Sequence, residues 1–482
     1  MRTVPPKPPG PSTRAAALLR DSRALAGLAV PLVLTQLAQV ALTTTDTVMM
    51  GLLSTRDLAA GGLALVIFNQ LRTMGVGLVT SVSNRIAAAA ARAESARAES
   101  AGGDTAGGRD AVRGIVRASM AVATLAGLAG AALMLLTGQA LTQLGQEAAV
   151  ADRVQTTLLA LAPGLLPCLW FQAVRQFTVG MRRPQALLRI TLASVAVNAG
   201  LDWALIRGTW GLPALGLPGI GVATSAVYLL SFLALYASAK RDPVLAPLLR
   251  LNAAKADRAT VRELVRLGVP IAATYGSEAG FFSVTALMAG SFGTAALAAH
   301  TAVNQLVYIV FQVAVGLSHA ASINVSRELA LGRADAARRI KNTALACAAA
   351  VMAAVALFYL MLPRLVLRPF LDPAAAGDAE AVSIASRLLF VIAVLQFFDC
   401  AQNIGVGLLR GLDDTRSGFR ITFIGYWLIG LPAAWLLGYA AGLDTLGIWL
   451  GLLAGLASTA ILLLRRYGTS LRTHSQTAAV AA

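Results

Sequence analysis

The chain has 482 residues, of which 57% are hydrophobic and only 13% are charged. A soluble protein needs roughly 25% charged residues to cover its surface, so much of this surface must contact lipid. The net charge of +17 would indicate nucleic-acid binding in a soluble protein. Arginine-rich loops are, however, typical of the cytoplasmic side of membrane proteins. The composition therefore predicts a polytopic membrane protein and argues against a nucleic-acid partner.

Twelve apolar segments are long enough to cross a bilayer as helices. About 20 residues span the hydrocarbon core, and in lipid each backbone N–H and C=O must be satisfied within its own helix or a closed barrel. The segments are continuously apolar rather than alternating, which favours helices. The predicted spans are 25–50, 58–82, 114–138, 154–178, 186–207, 217–238, 266–290, 295–321, 342–363, 383–409, 418–440 and 444–465.

Basic residues are concentrated in alternate loops, which predicts the orientation of the helices. Arginine and lysine cluster after the second, fourth, sixth, eighth and tenth spans. Because such loops stay in the cytoplasm, both termini are predicted to be cytoplasmic. The predicted organisation is a disordered cytoplasmic tail (1–23), an N-terminal lobe (24–238), a cytoplasmic linker (239–265), a C-terminal lobe (266–466) and a cytoplasmic tail (467–482).

The first two spans are repeated by the seventh and eighth without a gap. Pro31 and Pro270 open matching segments 239 residues apart, and the same offset relates Val76-Gly-Leu78 to Val315-Gly-Leu317. Each half then contains six spans, and an even number starts both halves on the same side of the membrane. The sequence predicts an all-α polytopic membrane protein with twelve transmembrane helices in two pseudo-symmetric six-helix lobes. This architecture suits alternating access.

Three acidic candidates stand out inside predicted spans, where an ionisable side chain costs roughly 2.5–3.5 kcal/mol on insertion scales. Asp46 is late in the first span, and Glu278 and Asp399 are in the middle of the seventh and tenth. A carboxylate in a partly dehydrated cavity exchanges protons or, with neighbouring oxygens, binds a small cation. Either use couples an ion gradient to a conformational change. The alternative is a helix–helix hydrogen bond or, for Asp46 above all, a position near the outer helix end.

Further polar residues are candidates for supporting a cation site or cavity. Asn304, Gln305 and Tyr308 lie close together on the eighth span, and the repeat places Gln39 opposite Glu278. Helix–helix hydrogen bonding explains the group on the eighth span equally well.

Aromatic and remaining charged residues are assigned by their depth in the spans. Phe281 and Phe398 are candidate ring faces for a lipophilic cation, with packing or lipid contact as the alternative. Arg175 is expected to reach the cytoplasmic surface and Arg72 to have a structural role or to pair with a carboxylate. Asp202 is expected at the outer membrane interface.

Together these residues resemble the multidrug and toxic compound extrusion (MATE) family, in particular its NorM-type branch. The likeness covers roughly residues 24–466. Its segments are Thr45-Asp-Thr-Val-Met-Met-Gly51, Leu267-Gly-Val-Pro270 with Glu278, Leu297-Ala-Ala-His300, Gln396-Phe-Phe-Asp399 and Leu409-Arg-Gly-Leu-Asp-Asp-Thr415.

The resemblance implies the family's twelve-helix, two-lobe fold and export of cationic, lipophilic drugs and dyes, driven by inward Na⁺ or H⁺ flow. In that branch acidic residues of the first, seventh and tenth helices carry the coupling, and they match Asp46, Glu278 and Asp399. Na⁺ would be held at Glu278 and Asp399, and no cofactor besides the coupling ion is implied. His300 departs from the glutamine that is common in the family.

Other functions stay open beside drug export. A related flippase for lipid-linked precursors would typically have a strongly cationic central cavity, whereas the charges found inside these spans are mostly acidic. An enzyme would need a nucleophile, metal or acid–base cluster, and the three cysteines and three histidines show no such arrangement, so none is predicted. Export of an endogenous metabolite would look the same in sequence. We expect a monomer in the bacterial inner membrane.

Overall fold

A computed structural model describes residues 11–99, 105–141, 143, 147–209, 211–371 and 379–481. Every regular element within those ranges is helical, which confirms the predicted all-α class. Continuous apolar sequence dictates this outcome, because a helix satisfies its backbone hydrogen bonds within one segment.

The N-terminal half contains six spans, one of which is broken. Ser81 separates two helices of the second span, which otherwise runs without interruption from Arg56 to Ala98. The helices are α1 (Pro11–Gly51), α2 (Thr55–Thr80), α3 (Val82–Glu99), α4 (Thr105–Ala140), α5 (Ala148–Gly180), α6 (Gln185–Arg207) and α7 (Leu217–Arg241).

The C-terminal half also contains six spans, and π-helical turns interrupt the fifth. Ile424–Gly430 and Leu436–Ala440 are π-helical within the span Thr415–Ala440. The helices are α8 (Arg258–Gly290), α9 (Thr294–Ala330), α10 (Ala334–Met361), the short α11 (Pro363–Leu367), α12 (Ala379–Gly411), α13 (Thr415–Phe423), α14 (Leu431–Trp435) and α15 (Asp444–Ala481).

Eleven candidate spans in the described ranges are long and apolar enough to cross a membrane. The remaining predicted span, α8, has 33 residues and is therefore long enough as well. Its centre reads Thr274-Tyr-Gly-Ser-Glu278, and these polar side chains lower its hydropathy. With α8 the helices give the predicted twelve spans.

The N-terminal tail is more helical than predicted, and helices extend into the predicted linker and the C-terminal tail. α1 begins at Pro11 and α15 continues to Ala481, so residues 11–23 are not irregular; residues 1–10 lie outside the described residues. Alanine, leucine and arginine are strong helix formers, so they extend a helix that the membrane span already nucleates. In the predicted linker only 242–257 lies between long helices, and the Asp257 carboxylate caps α8 by accepting the Thr260 N–H at 2.9 Å.

The two lobes, α1–α7 and α8–α15, meet where α2 packs on α8 and α1 packs on α9. A Cβ added at Gly77 would lie 2.7 Å from the Ala272 Cα, and one at Gly316 would lie 2.9 Å from the Val33 nitrogen. The offset of 239 residues relates Gly77 to Gly316 and Val33 to Ala272. The sequence repeat therefore produces a pseudo-symmetric interface at which backbones touch.

Ion pairs join the lobes at one end of the bundle, which we call the basic end. Arg85 of α3 pairs with Glu263 of α8 at 2.6 Å and with Asp413, between α12 and α13, at 3.0 Å. Arg327 of α9 pairs with Glu94 of α3 at 2.6 Å. The loops predicted to be cytoplasmic from their basic residues meet here.

Candidate functional site

A cavity of about 350 Å³ lies between the two lobes. Helices α1, α2 and α5 of the N-terminal lobe and α8, α9 and α12 of the C-terminal lobe supply its walls. The walls combine amide side chains and charged groups with aromatic rings, namely those of Tyr275, Phe282, Tyr308 and Phe311. Such a mixture binds organic molecules through ring faces and orients them through a few polar groups.

Glu278 of α8 and Asp399 of α12 both line this cavity. The Tyr426 hydroxyl donates to Glu278 Oε1 at 3.3 Å, and the Asn403 amide donates to Asp399 Oδ1 at 3.2 Å. Because both carboxylates line one cavity, their like charges act on the same space. Like charges at such a site favour binding of a proton or another cation, and these oxygens suit a hard ion such as Na⁺. The structure thus brings the two predicted residues together.

Three of the four predicted supporting residues line the cavity, and one does not. Gln39, Asn304 and Tyr308 are in its wall. Gln305 is not among the wall residues. Adjacent residues on a helix point about 100° apart, and Asn304 takes the inward direction at this position.

The two predicted cavity rings are also misplaced. Phe281 is fully buried and stacks on Tyr426 with ring centroids 4.9 Å apart. Phe398 packs against the hydrophobic core of the C-terminal lobe. Phe282 lies in the wall where Phe281 was predicted, which again is an error of one residue in helix rotation.

Asp46 lies outside the wall of the central cavity, in a buried cluster within the N-terminal lobe. The Asn198 amide of α6 donates to both Asp46 and Asp202, the latter at 2.9 Å. The Thr224 hydroxyl of α7 donates to Asp46 Oδ2 at 3.4 Å. Asp46 is 2% exposed and Asp202 is 0% exposed, so the expected interfacial position of Asp202 is wrong.

This N-terminal cluster also has the chemistry of a small-cation or proton site. Two carboxylates, Asp46 and Asp202, share one amide donor, which leaves their negative charges only partly compensated. Asn198 Oδ1 and Asp202 Oδ1 are buried acceptors without a hydrogen-bond partner. Sequence reasoning missed Asn198 and Asp202, although their spacing of four places them on one face of α6.

The central cavity also contains cationic side chains, namely Arg72, Arg175 and Arg410, together with His319. The sequence-based view that the central charges are mostly acidic is therefore wrong. Arg175 does not reach the surface as expected, since it is 6% exposed and donates to Gln36 Oε1 at 2.8 Å. Arg72 donates to its neighbour Asn69 at 3.2 Å.

Comparison with known proteins places this architecture in a family. The model of the MatE family matches residues 31–204 and 270–436. A Pseudomonas aeruginosa PAO1 protein described as "Probable multidrug resistance protein NorM" is 36% identical over 452 residues, 92% of this chain and 88% of that protein. A Bradyrhizobium diazoefficiens protein with the same description is 36% identical over 448 residues, 91% of each chain.

Solved structures show the same fold. The outward-facing conformation of a multidrug resistance MATE family transporter has a TM-score of 0.82 at 16% identity, covering 95% of this chain and 98% of that one. The eukaryotic MATE transporter AtDTX14 has a TM-score of 0.78 at 19% identity, covering 95% and 99%. With the family match over both lobes, the chain belongs to the MatE family and is an integral membrane transporter of the NorM type.

Proposed function

We propose that this transporter exports cationic, lipophilic drugs and dyes in exchange for Na⁺ or H⁺, by alternating access of its central cavity across the bacterial inner membrane. The observation that carries this proposal is the pairing of Glu278 and Asp399 in a cavity that also exposes aromatic rings. A lipophilic cation is attracted both by negative charge and by ring faces. The relatives described as probable multidrug resistance proteins support drug export.

Coupling follows from competition for the same carboxylates. An ion from outside and a cationic drug from inside both relieve the charge of Glu278 and Asp399, so occupancy by one weakens binding of the other. By thermodynamic linkage this antagonism is reciprocal. Ion uptake from outside therefore releases the drug outside, and ion release inside prepares the cavity for the next drug.

The Asp46 cluster is the second coupling site in this proposal. Helix α1 contributes Asp46 to that cluster and contributes Gln39 and Thr43 to the cavity wall. An ion bound at the cluster therefore acts on the cavity through a single helix. Because Asp46 is 2% exposed, the cluster suits a proton or a bare metal ion and not a drug.

The basic end is assigned to the cytoplasm, because its loops carry most of the arginine and lysine. The lobes are joined there by Arg85 with Glu263 and Asp413. This arrangement fits a state that is closed toward the cytoplasm. In the opposite state of the cycle these pairs separate as the lobes rotate. Both lobes of one chain complete the cavity, so a monomer suffices.

A flippase for an anionic, lipid-linked precursor is the second candidate, and the cavity arginines are the observation that favours it. Arg72, Arg175 and Arg410 would attract phosphate. Glu278 and Asp399 would repel it, and the two carboxylates lie in the same cavity. An endogenous organic cation would bind to the same wall residues as a cationic drug.

Ethidium efflux from proteoliposomes, with Na⁺ and H⁺ gradients imposed separately, tests the proposal. Efflux driven by one gradient and absent with the other identifies the coupling ion. Efflux driven by either gradient supports antiport with both ions. Absence of efflux under both gradients, from protein that remains monodisperse, would contradict cation export and favour the flippase.

A further inference from the structure

The span Thr415–Ala440 contacts α8 through two tyrosines, and each lies in one of its π-helical segments. The Tyr426 ring stacks on Phe281 with ring centroids 4.9 Å apart, and the Tyr439 ring packs on Phe292 at 4.8 Å. These contacts are 11 residues apart on α8 but 13 residues apart on the other span. A π-helical turn closes through an i→i+5 hydrogen bond and so holds one residue more than an α-helical turn. The two π-helical segments therefore take up the two extra residues and keep both tyrosines level with their partners.

The first π-helical turn is fixed by glycines that pack on α15. The Leu431 N–H donates to the Tyr426 carbonyl oxygen, five residues earlier. A Cβ added at Gly430 would lie 3.2 Å from both the Gly425 carbonyl oxygen and the Gly455 Cα. Contacts this close leave little room for a side chain. The turn therefore depends on glycine at this position and packs directly on the backbone of α15.

Two successive residues of this turn bond two successive residues of α8. The Tyr426 hydroxyl donates to Glu278 Oε1 at 3.3 Å, and the Trp427 indole N–H donates to Ser277 Oγ at 2.8 Å. Gly280 leaves space for the indole ring, since a Cβ added there would lie 3.4 Å from it. Loss of the extra residue would rotate one side of the span by about 100° relative to the other. This pair of hydrogen bonds therefore depends on the π-helical turn.

Tyr426 reaches Glu278 from behind the cavity wall. It is fully buried and is not among the wall residues, whereas Glu278 is in the wall. The tyrosine therefore acts on the cavity contents only through the carboxylate. A small metal ion needs its oxygen ligands at defined distances and angles, whereas a lipophilic cation is attracted by charge over longer distances and by ring faces. The orientation of Glu278 should therefore matter more for an ion than for a drug.

We propose that Tyr426 is a positioning residue for Glu278, and that the π-helical turn directs its hydroxyl so that the carboxylate is oriented for ion binding. Holding Glu278 in one orientation reduces the entropy that an ion would otherwise lose on binding. Tyr426 thereby determines how strongly an ion weakens drug binding, and hence how efficiently the two are exchanged. This inference rests on the proposed competition between ion and drug for Glu278.

Tyr426→Phe tests the inference, because it removes only the hydroxyl and retains the ring on Phe281. Ethidium affinity is measured by fluorescence with the full chain in nanodiscs, in choline at alkaline pH, then with Na⁺ in place of choline, and then at acidic pH. In wild-type protein we expect Na⁺ or acid to weaken ethidium binding about ten-fold, and in Tyr426→Phe about two-fold or less. In choline at alkaline pH the two proteins should bind ethidium within about two-fold of each other.

Two further variants show whether the effect belongs to this turn. Tyr439→Phe makes the same chemical change on the same span, at a hydroxyl that bonds Ser291 and the Met288 carbonyl, and should keep the wild-type response to the ion. Trp427→Phe removes the indole donor but keeps a ring, and should reduce the response in the same direction as Tyr426→Phe and by less. The melting temperature of each variant reports its fold.

Each other outcome has a definite meaning. Equal ion responses in Tyr426→Phe and wild-type protein would overturn the inference and leave competition at Glu278 intact. Equal loss of ethidium affinity in choline and in Na⁺, together with a lower melting temperature, would mean that the hydroxyl only supports the fold, which also overturns it. If neither Na⁺ nor acid weakens ethidium binding to wild-type protein, the proposed competition is itself wrong, and the inference fails with it.

Discussion

The two lobes share one fold but place their carboxylates in different surroundings. The offset of 239 residues relates Glu278 to Gln39 and Asp46 to Thr285. Glu278 and Gln39 both line the central cavity, but only Glu278 is ionisable. Asp46 is buried with Asn198, whereas the hydroxyl of Thr285 bonds the carbonyl of Phe282 on its own helix. The repeat thus preserves the packing positions of the helices, whereas the ionisable side chains at matching positions differ between the lobes.

Because of this difference, the two carboxylate sites differ in the size of the molecule or ion that they can bind. The C-terminal pair faces a cavity of about 350 Å³, which admits both an organic cation and an ion. The N-terminal cluster is closed by α1, α6 and α7, so only a small ion fits there. We therefore expect variants of the two sites to affect drug binding and ion coupling in different proportions.

The largest effect is expected at the C-terminal pair. Glu278→Gln and Asp399→Asn remove the charge that attracts both drug and ion. Gradient-driven ethidium efflux from proteoliposomes should fall to background, and ethidium affinity should fall about ten-fold. Glu147→Gln, an exposed position before α5, is the matched control and should transport normally. Full activity of both cavity variants would remove the basis for the coupling assignment.

Asp46→Asn should reduce ion-coupled efflux without reducing drug binding. Efflux is expected to fall about ten-fold or more, because the N-terminal cluster loses one of its two carboxylates. Equilibrium ethidium binding should stay within about two-fold, since Asp46 does not line the cavity. Asp152→Asn, exposed on α5, controls for the change of charge. Loss of binding as large as in Glu278→Gln would mean that the two sites are not distinct.

The pseudo-symmetric glycines should respond alike. Gly77→Val and Gly316→Val each force a side chain against a backbone of the other lobe, and such overpacking costs about 1–3 kcal/mol. We expect a lower melting temperature and several-fold slower efflux. Gly62→Val is the matched control on α2, because an added Cβ there meets nothing within 4 Å. Clearly unequal effects at the two positions would show that the lobes use the interface differently.

The smallest effect is expected at Asp257, the cap of α8. Hydrogen bonds from the Thr260 N–H and hydroxyl lower the pKa of this carboxyl. Because the pKa of Asp257 is lower in the folded state, its ionised carboxylate stabilises the fold at pH values above about 4, the usual pKa of an aspartate. This stabilisation is lost as the pH falls through the lowered pKa. Asp257→Ala should therefore melt slightly below wild type at pH 7 but not in strong acid. Asp257→Asn, whose side chain can also cap the helix, should differ less from wild type in melting temperature. A pH-independent difference for the alanine variant would contradict this.

The sequence predicted the spans, the two lobes and the cavity carboxylates, because a long apolar run and a charge within it are both unmistakable. It did not predict which side of a helix faces the cavity. A helix that is apolar all round has no polar face to fix its rotation. Phe281 was therefore predicted where Phe282 lies, and Gln305 was predicted beside Asn304 although only Asn304 is in the wall.

Two further errors came from charges near helix ends. Asp202 and Arg175 were placed at membrane interfaces because long or terminal charged side chains often lie there. Buried partners hold both of them instead. Asn198, on the same helix as Asp202, donates to Asp202 and also to Asp46 of α1, and Gln36 of α1 accepts from Arg175. Such partners depend on tertiary packing, which the repeat alone does not specify.

In the proposed alternating-access cycle, the glycine contacts between the lobes would set the scale of the lobe motion. Val33, at one contact, and Asp46 are 13 residues apart on α1, about 20 Å along the helix. A rotation of one lobe by about 10° about that contact moves the far end of α1 by about 3.5 Å, the size of step common in domain motions. In the proposed cycle, close backbone contact between the lobes would thus turn a small change of angle into a gap at the far end of α1 that is about as wide as an aromatic ring is thick.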